Sequence, residues 1–244
     1  MIKSPGLVIL ILGPKHSGKT SAGKALARLC PAAVFPPDLV RDRGGVFAGS
    51  AEFIDLDELV ERRAGKSPRL LYREGPEIFR GAEAEALRAL LEGELWGGGG
   101  NPGGITIAAA GGGLADNGEA LEILKKPRSA STVYTVYIEI PAETAWKRIR
   151  AAADESGELP PFLDTENPRE THRLLHRRRG AVYRELAKIT VKAGNTPEET
   201  AAKILRRLTD VPPEGGFQPV CPDGFSGRQN LQTTEQPALR IDIK

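Results

Sequence analysis

The sequence predicts an α/β fold: a parallel sheet of five strands with helices on both faces. Two observations predict it. Strand-like and helix-like segments alternate along most of the chain, the pattern of a parallel sheet with helical crossovers. In addition, the apolar run Leu7-Val8-Ile9-Leu10-Ile11-Leu12 has the length and composition of a strand buried on both faces. It passes at once into Gly13-Pro14-Lys15-His16-Ser17-Gly18-Lys19-Thr20, and then into the helical stretch Ser21 to Leu29.

The elements follow in order. The first helix ends near Cys30-Pro31. Residues 32–50, with Pro36-Pro37 and Gly44-Gly45, are too long for a simple connection and read as a surface excursion. Ala51 to Asp55 is a short strand, and Leu56 to Ala64 a helix closed by Gly65. Ser67 to Gly75 reads as loop. Pro76 to Leu91 is a helix with Pro at its start and Ile78, Phe79, Ala82, Ala86, Leu87 and Leu90 on one side. A Gly-rich link, Glu92 to Gly104, leads to the buried strand Ile105 to Ala110. Gly111-Gly112-Gly113 follows, then a helix from about Asp116 to Leu124. Val133 to Ile140 is a strand and Ala142 to Ala153 a helix. Asp154 to Pro168 is polar, holds prolines and reads as a mobile loop. Arg169 to Lys188 is a long arginine-rich helix, Ile189 to Val191 a last strand, and Thr196-Pro197 opens a final helix through Leu208. Residues 1–210 thus form one domain, with a lid over about 154–168. Residues 211–244 are rich in Pro, Gly and Gln and read as a disordered tail. The alternating stretch Ala238 to Ile243 within it could add a strand or bind a partner.

Composition narrows the function. A chain of 244 residues supports one substantial core, and a net charge of +2 gives no push toward nucleic acid or a membrane surface. Cys30 and Cys221 are the only cysteines, which makes no metal pattern or disulfide framework and suggests a reducing compartment. The N-terminal apolar run is too short to span a bilayer and lacks a cleavage signal.

Residues 13–20 fit the P-loop pattern of Gly, four residues, Gly-Lys, then Ser or Thr, and they lie between a strand and a helix as that motif requires. Small residues let backbone N–H groups turn around a phosphate chain, and the helix N-terminus adds free donors and a positive dipole. Lys19 supplies charge to the β- and γ-phosphates, and the Thr20 hydroxyl suits Mg²⁺. Asp55 and Asp57 bracket the end of the second strand. Strand alternation would put both on one face, at the carboxyl end where open parallel sheets bind ligands. One could hold Mg²⁺ through water and the other orient a hydroxyl; Asp57 also suits a cap for the next helix. Gly111, Gly112 and Gly113 permit close backbone approach to a ligand, or form an ordinary loop. Arg80 and Arg179 fit a carboxylate clamp or a solvated helix face.

Taken together, the ordered set resembles the shikimate kinase family over about Leu7 to Leu208. The set comprises the P-loop; Phe53-Ile54-Asp55-Leu56-Asp57 with the helix after it; Gly75-Pro76-Glu77-Ile78-Phe79-Arg80 with Glu83; the three glycines; Val136-Tyr137-Ile138-Glu139; and Arg179 four residues before Tyr183. The resemblance implies a P-loop nucleoside-monophosphate-kinase-like fold and a cytoplasmic, monomeric enzyme that transfers a phosphoryl group from ATP to the 3-hydroxyl of shikimate. It implies that Arg80 and Arg179 hold the acceptor carboxylate, and that Asp57 and the backbone near Gly112 hold its hydroxyls. Asp57 would lie near the attacking hydroxyl, and Lys19 would steady the γ-phosphate. Thr20 would bind Mg²⁺ directly and Asp55 through water. Arg148 would stack on adenine, and Thr196-Pro197-Glu198-Glu199 resembles the family's base-binding loop. One departure stands out. The family's lid carries an arginine in an Arg-Pro-Leu-Leu pattern, and here the matching stretch is Leu159-Pro160-Pro161-Phe162, preceded by Glu158. That leaves three expectations: a slow enzyme, a substitute arginine such as Arg150 or Arg169, or a regulatory relative that binds nucleotide and a small acid. A kinase for another carboxylated polyol is a further alternative.

Overall fold

The computed structural model describes residues 7–30, 51–92, 104–126 and 132–209. The expected surface excursion at 32–50, most of the Gly-rich link and the tail from 211 onward lie outside these residues.

Five strands form one sheet: β1 (Leu7–Leu12), β2 (Ala51–Asp55), β3 (Ile105–Ala109), β4 (Thr132–Glu139) and β5 (Ile189–Lys192). Their order is β2-β3-β1-β4-β5, with every pairing parallel. β1 is central because both of its edges and both of its faces are covered. Its alternation divides the molecule in two. Leu7, Ile9 and Ile11 enter one core with Ala22, Ala25 and Leu26 of α1 (Lys19–Leu29) and Ala201, Ile204 and Leu208 of α8 (Pro197–Thr209). Val8, Leu10 and Leu12 enter the other, with α2 (Leu56–Ala64), α4 (Pro76–Glu92), α5 (Gly118–Lys125) and Tyr183 of α7 (Pro168–Leu186). Burying each such side chain contributes about 1.5–3 kcal/mol, so β1 anchors both layers. Cys30 ends α1 inside the first core, where burial pushes its thiol up to about 12.

Helix boundaries follow local chemistry. Asp55 caps α2 and Gly65 closes it in a left-handed conformation. The stretch expected as loop at Ser67 to Gly75 is instead a helix, α3 (Pro68–Glu74). The Ser67 hydroxyl accepts from the Leu70 N–H, and Pro68 takes the first helical position. α3 buries Leu71, and Tyr72 meets Phe79 of α4 edge to face. The expected mobile loop at 154–168 also differs. α6 (Ala142–Ser156) continues three residues further than the apolar pattern suggests, and Gly157 ends it in a left-handed conformation. A 3₁₀ turn at Pro161–Leu163 then buries Leu163 completely. No helix among the described residues is long and apolar enough to cross a membrane.

The connections leaving β1 and β3 run to opposite sides of the sheet, which opens a crevice beyond their carboxyl ends. Residues 13–20 follow β1 and Gly111 to Gly113 follow β3, so the topology alone brings these two stretches together.

Candidate active site

The loop after β1 is folded tightly. Ser17 N–H donates to the Pro14 carbonyl at 3.2 Å, and His16 and Gly18 adopt positive φ of 60° and 89°. Among the described residues no side chain caps α1, so the donors of its first turn are left for a ligand. The buried Ser17 Oγ has no partner among the described residues. Lys19 is buried and donates to the Gly13 and Pro14 carbonyls at 2.9 and 2.8 Å. Burial lowers its pKa to about 8, which still leaves it largely charged at pH 7. His16 is held down at about 4, by burial first and then by Lys15, Lys19 and Arg148, so it is neutral there. Cationic side chains therefore surround a concavity of backbone donors, the arrangement that binds a polyphosphate.

Thr20 Oγ1 donates to Asp55 Oδ2 at 2.7 Å, while Asp55 Oδ1 accepts from the Asp57 N–H at 3.0 Å. Asp55 thus performs the capping that spacing had offered to Asp57. Asp57 does not share a strand face with Asp55 either, because the strand has ended and Asp57 lies in the first turn of α2. Its carboxylate reaches the crevice from the helix. Asp57 Oδ1 is buried without a partner among the described residues, and burial followed by the neighbouring Asp55 raises its pKa. A hydroxyl and a carboxylate beside the phosphate-binding turn are hard oxygen donors, a set that fits Mg²⁺ with waters completing its shell.

Glycines bring the strand ends together. A Cβ on Gly112 would lie 2.7 Å from the Lys15 backbone nitrogen, and one on Gly111 would lie 2.4 Å from Glu83 Oε1 and 3.0 Å from Asp57 Oδ1. Side chains there would close the crevice. Glu83 is fully buried; Asn117 Nδ2 donates to its Oε2 at 3.0 Å, while Oε1 has no partner among the described residues. Burial pushes its pKa up to about 7 against that hydrogen bond.

Lys15, His16, Asp57, Arg80, Gly111, Gly112, Gly113 and Arg179 all line one cavity of about 490 Å³. Apolar side chains of Tyr72, Phe79 and Phe162 complete it. Arg80 is exposed toward the cavity and has no ion pair among the described residues. Arg179 is buried, and Asp116 holds it through Nε at 2.9 Å and Nη2 at 2.7 Å. Arg148 lies at the loop's rim, its Nη1 donating to the His16 carbonyl at 3.1 Å. The Thr196 to Glu199 segment caps α8: Thr196 Oγ1 accepts from the Glu199 N–H at 3.1 Å, and Glu199 Oε2 accepts from the Asn195 N–H at 2.8 Å.

Sequence reasoning missed three participants. Asp116 was read only as the start of a helix. Glu83 entered only as part of a motif. Arg69 lay in the stretch taken for loop, although its Nη2 donates to the Leu159 carbonyl at 2.7 Å and it lines the cavity. Glu158 pairs with both Arg69 and Arg73, which fastens the segment after α6 to α3. The substitutes expected for a lid arginine turn elsewhere. Arg150 pairs with Asp154 and Arg169 with Glu143, and neither lines the cavity.

A parallel sheet with a P-loop that shares a cavity with charged side chains defines a P-loop phosphotransferase for a small molecule. The shikimate kinase family model matches residues 48–209. The chain belongs to the shikimate kinase family. A shikimate kinase of Marinomonas sp. is 28% identical over 207 residues, covering 84% of this chain and 92% of that protein. One of Chlorobium chlorochromatii is 31% identical over 217 residues, covering 85% and 95%. The solved shikimate kinase from Acinetobacter baumannii in complex with shikimate matches with a TM-score of 0.56 at 26% identity, covering 84% of this chain and 94% of that one.

Proposed function

We propose that this chain transfers the γ-phosphoryl group of ATP to the 3-hydroxyl of shikimate. The observation that carries the reading is the shared cavity: Asp57, Arg80, Arg179 and the three glycines face the same space as Lys15 and His16 of the phosphate-binding loop. Catalysis of this kind is mainly positioning and charge neutralisation. The N–H groups of residues 13–20 cradle the phosphates. Lys19 exchanges its contacts to the Gly13 and Pro14 carbonyls for phosphate oxygens. Arg80 and Arg179 take the acceptor carboxylate, and the backbone at Gly112 meets its hydroxyls. Asp57 orients the 3-hydroxyl and receives its proton late in transfer; its raised pKa makes it the better base for that. Mg²⁺, held by Thr20 directly and by Asp55 through water, would neutralise phosphate charge. Arg148 packs on the adenine from the loop's rim. A monomer acting in the cytoplasm is part of the same proposal. The relatives lend no support to a regulatory binder or to a different polyol acceptor.

Replacing Arg80 by Ala tests the carboxylate assignment. Charge-assisted hydrogen bonds are worth about 1.5–3 kcal/mol, so Arg80→Ala should raise the shikimate KM by roughly ten- to a hundredfold. The ATP KM should stay nearly constant. Steady-state kinetics that showed equal damage to both constants would contradict a carboxylate clamp.

A further inference from the structure

Arg179 and Arg80 are held very differently. Arg80 is exposed, with no ion pair among the described residues. Arg179 is restrained on three sides. Asp116 Oδ2 takes both Nε and Nη2, the Gly112 carbonyl accepts from Nη1 at 3.3 Å, and the Phe162 ring lies 4.9 Å from Cζ. Asp116 is itself held from the far side: Arg178 Nη2 donates to its Oδ1 at 2.8 Å. A guanidinium carries five N–H donors in a rigid fork. The contacts of Arg179 use one on each nitrogen. Two are unused among the described residues, one on each terminal nitrogen, and Asp116 and Arg179 line the cavity side by side.

We propose that Asp116 is a positioning residue for Arg179: it takes the Nε–Nη2 edge and leaves the end-on Nη1–Nη2 edge to the acceptor's carboxylate. The inference rests on the acceptor reading above and adds to it. Arg179 becomes the preorganised half of the clamp and Arg80 the adaptable half. Fixing a side chain in its bound geometry removes the ordering cost that binding would otherwise meet. Loss of Asp116 would let Arg179 rotate and fold its side edge onto other carbonyls, at the expense of acceptor binding.

The test uses the full chain with Asp116→Asn and Asp116→Thr. Asparagine keeps the shape but weakens the hold on Arg179, and threonine removes it. Shikimate and its carboxamide, in which the carboxylate is replaced by a neutral amide, serve as acceptors. Both variants should raise the shikimate KM by about fivefold or more, with kcat within about threefold and the ATP KM unchanged. With the carboxamide, the variants and the parent enzyme should share one KM, which a merely structural role would not produce. A lower shikimate KM in the variants would make Asp116 a competitor for Arg179 and overturn the proposal, as would an unchanged KM or an equal penalty with both acceptors. If the parent enzyme neither binds nor turns over shikimate, the acceptor reading itself fails and this inference falls with it.

Discussion

Lys19→Met should lower kcat by about a thousandfold while leaving the shikimate KM within a few-fold of its starting value. Removing one preorganised charge or donor from a transferring phosphoryl group costs about two to five orders of magnitude. Lys19 is placed to act as such a group. It is buried directly after the phosphate-binding turn, and its ammonium rests on the Gly13 and Pro14 carbonyls. Those carbonyls hold it where a phosphate oxygen can exchange with them. Burial also lowers its pKa to about 8, so it carries its charge at neutral pH under a desolvation penalty that a bound polyphosphate relieves. Methionine preserves the apolar stem and its packing, so melting temperature should change little beyond the loss of two hydrogen bonds. Rapid-quench or coupled kinetics on the variant provide the check. A kcat within tenfold of the original would mean that Lys15 or another cation carries the phosphate charge.

Asp57→Asn should lower kcat by about a hundred- to ten-thousandfold, the range of a lost general base, and should stabilise the fold. The two effects have one origin. Asp57 Oδ1 is buried without a partner among the described residues, and Asp55 adds like charge, so the folded-state pKa lies above the ordinary carboxylate value. For a group shifted in that direction, folding favours the protonated form. Its contribution to stability is therefore fully present at pH below the unfolded value and is lost as pH rises through the folded one. The ionised form of Asp57 destabilises the enzyme, and the neutral amide removes that cost. The stabilisation of Asp57→Asn should accordingly be larger at pH 8 than at pH 4. A variant that is both inactive and less stable at pH 8 would show that Asp57 serves the fold and not the reaction. An active variant would show that the acceptor hydroxyl loses its proton to another group.

Much of the fold was legible because its signals are local. The apolar run of β1, the Gly65 stop of α2 and the glycines after β3 each announce themselves within a few residues. Local chemistry also explains the α3 error. Ser67 and Pro68 form a clear cap, but a seven-residue helix gives too few turns for an apolar period to show. The site was legible by residue type and only partly by geometry. Asp57 was assigned to the crevice through strand alternation, whereas it arrives there from the first turn of a helix. By sequence Arg179 fits a carboxylate clamp or a solvated helix face, with no sign of Asp116, which lies 63 residues away and meets it only because β3 and α7 converge. Arg69 and the Leu159 carbonyl are 90 residues apart. Such pairings depend on the order of strands in the sheet and leave no periodic trace in the chain.

The most direct measurement is ADP release from Mg-ATP by the full chain, with and without shikimate, with the product's phosphate located by NMR. The account predicts release that requires shikimate, at about 1–100 turnovers per second, and a product phosphorylated at the 3-hydroxyl. A folded, ATP-binding protein that releases no ADP with shikimate, or that places the phosphate on another hydroxyl, would contradict it.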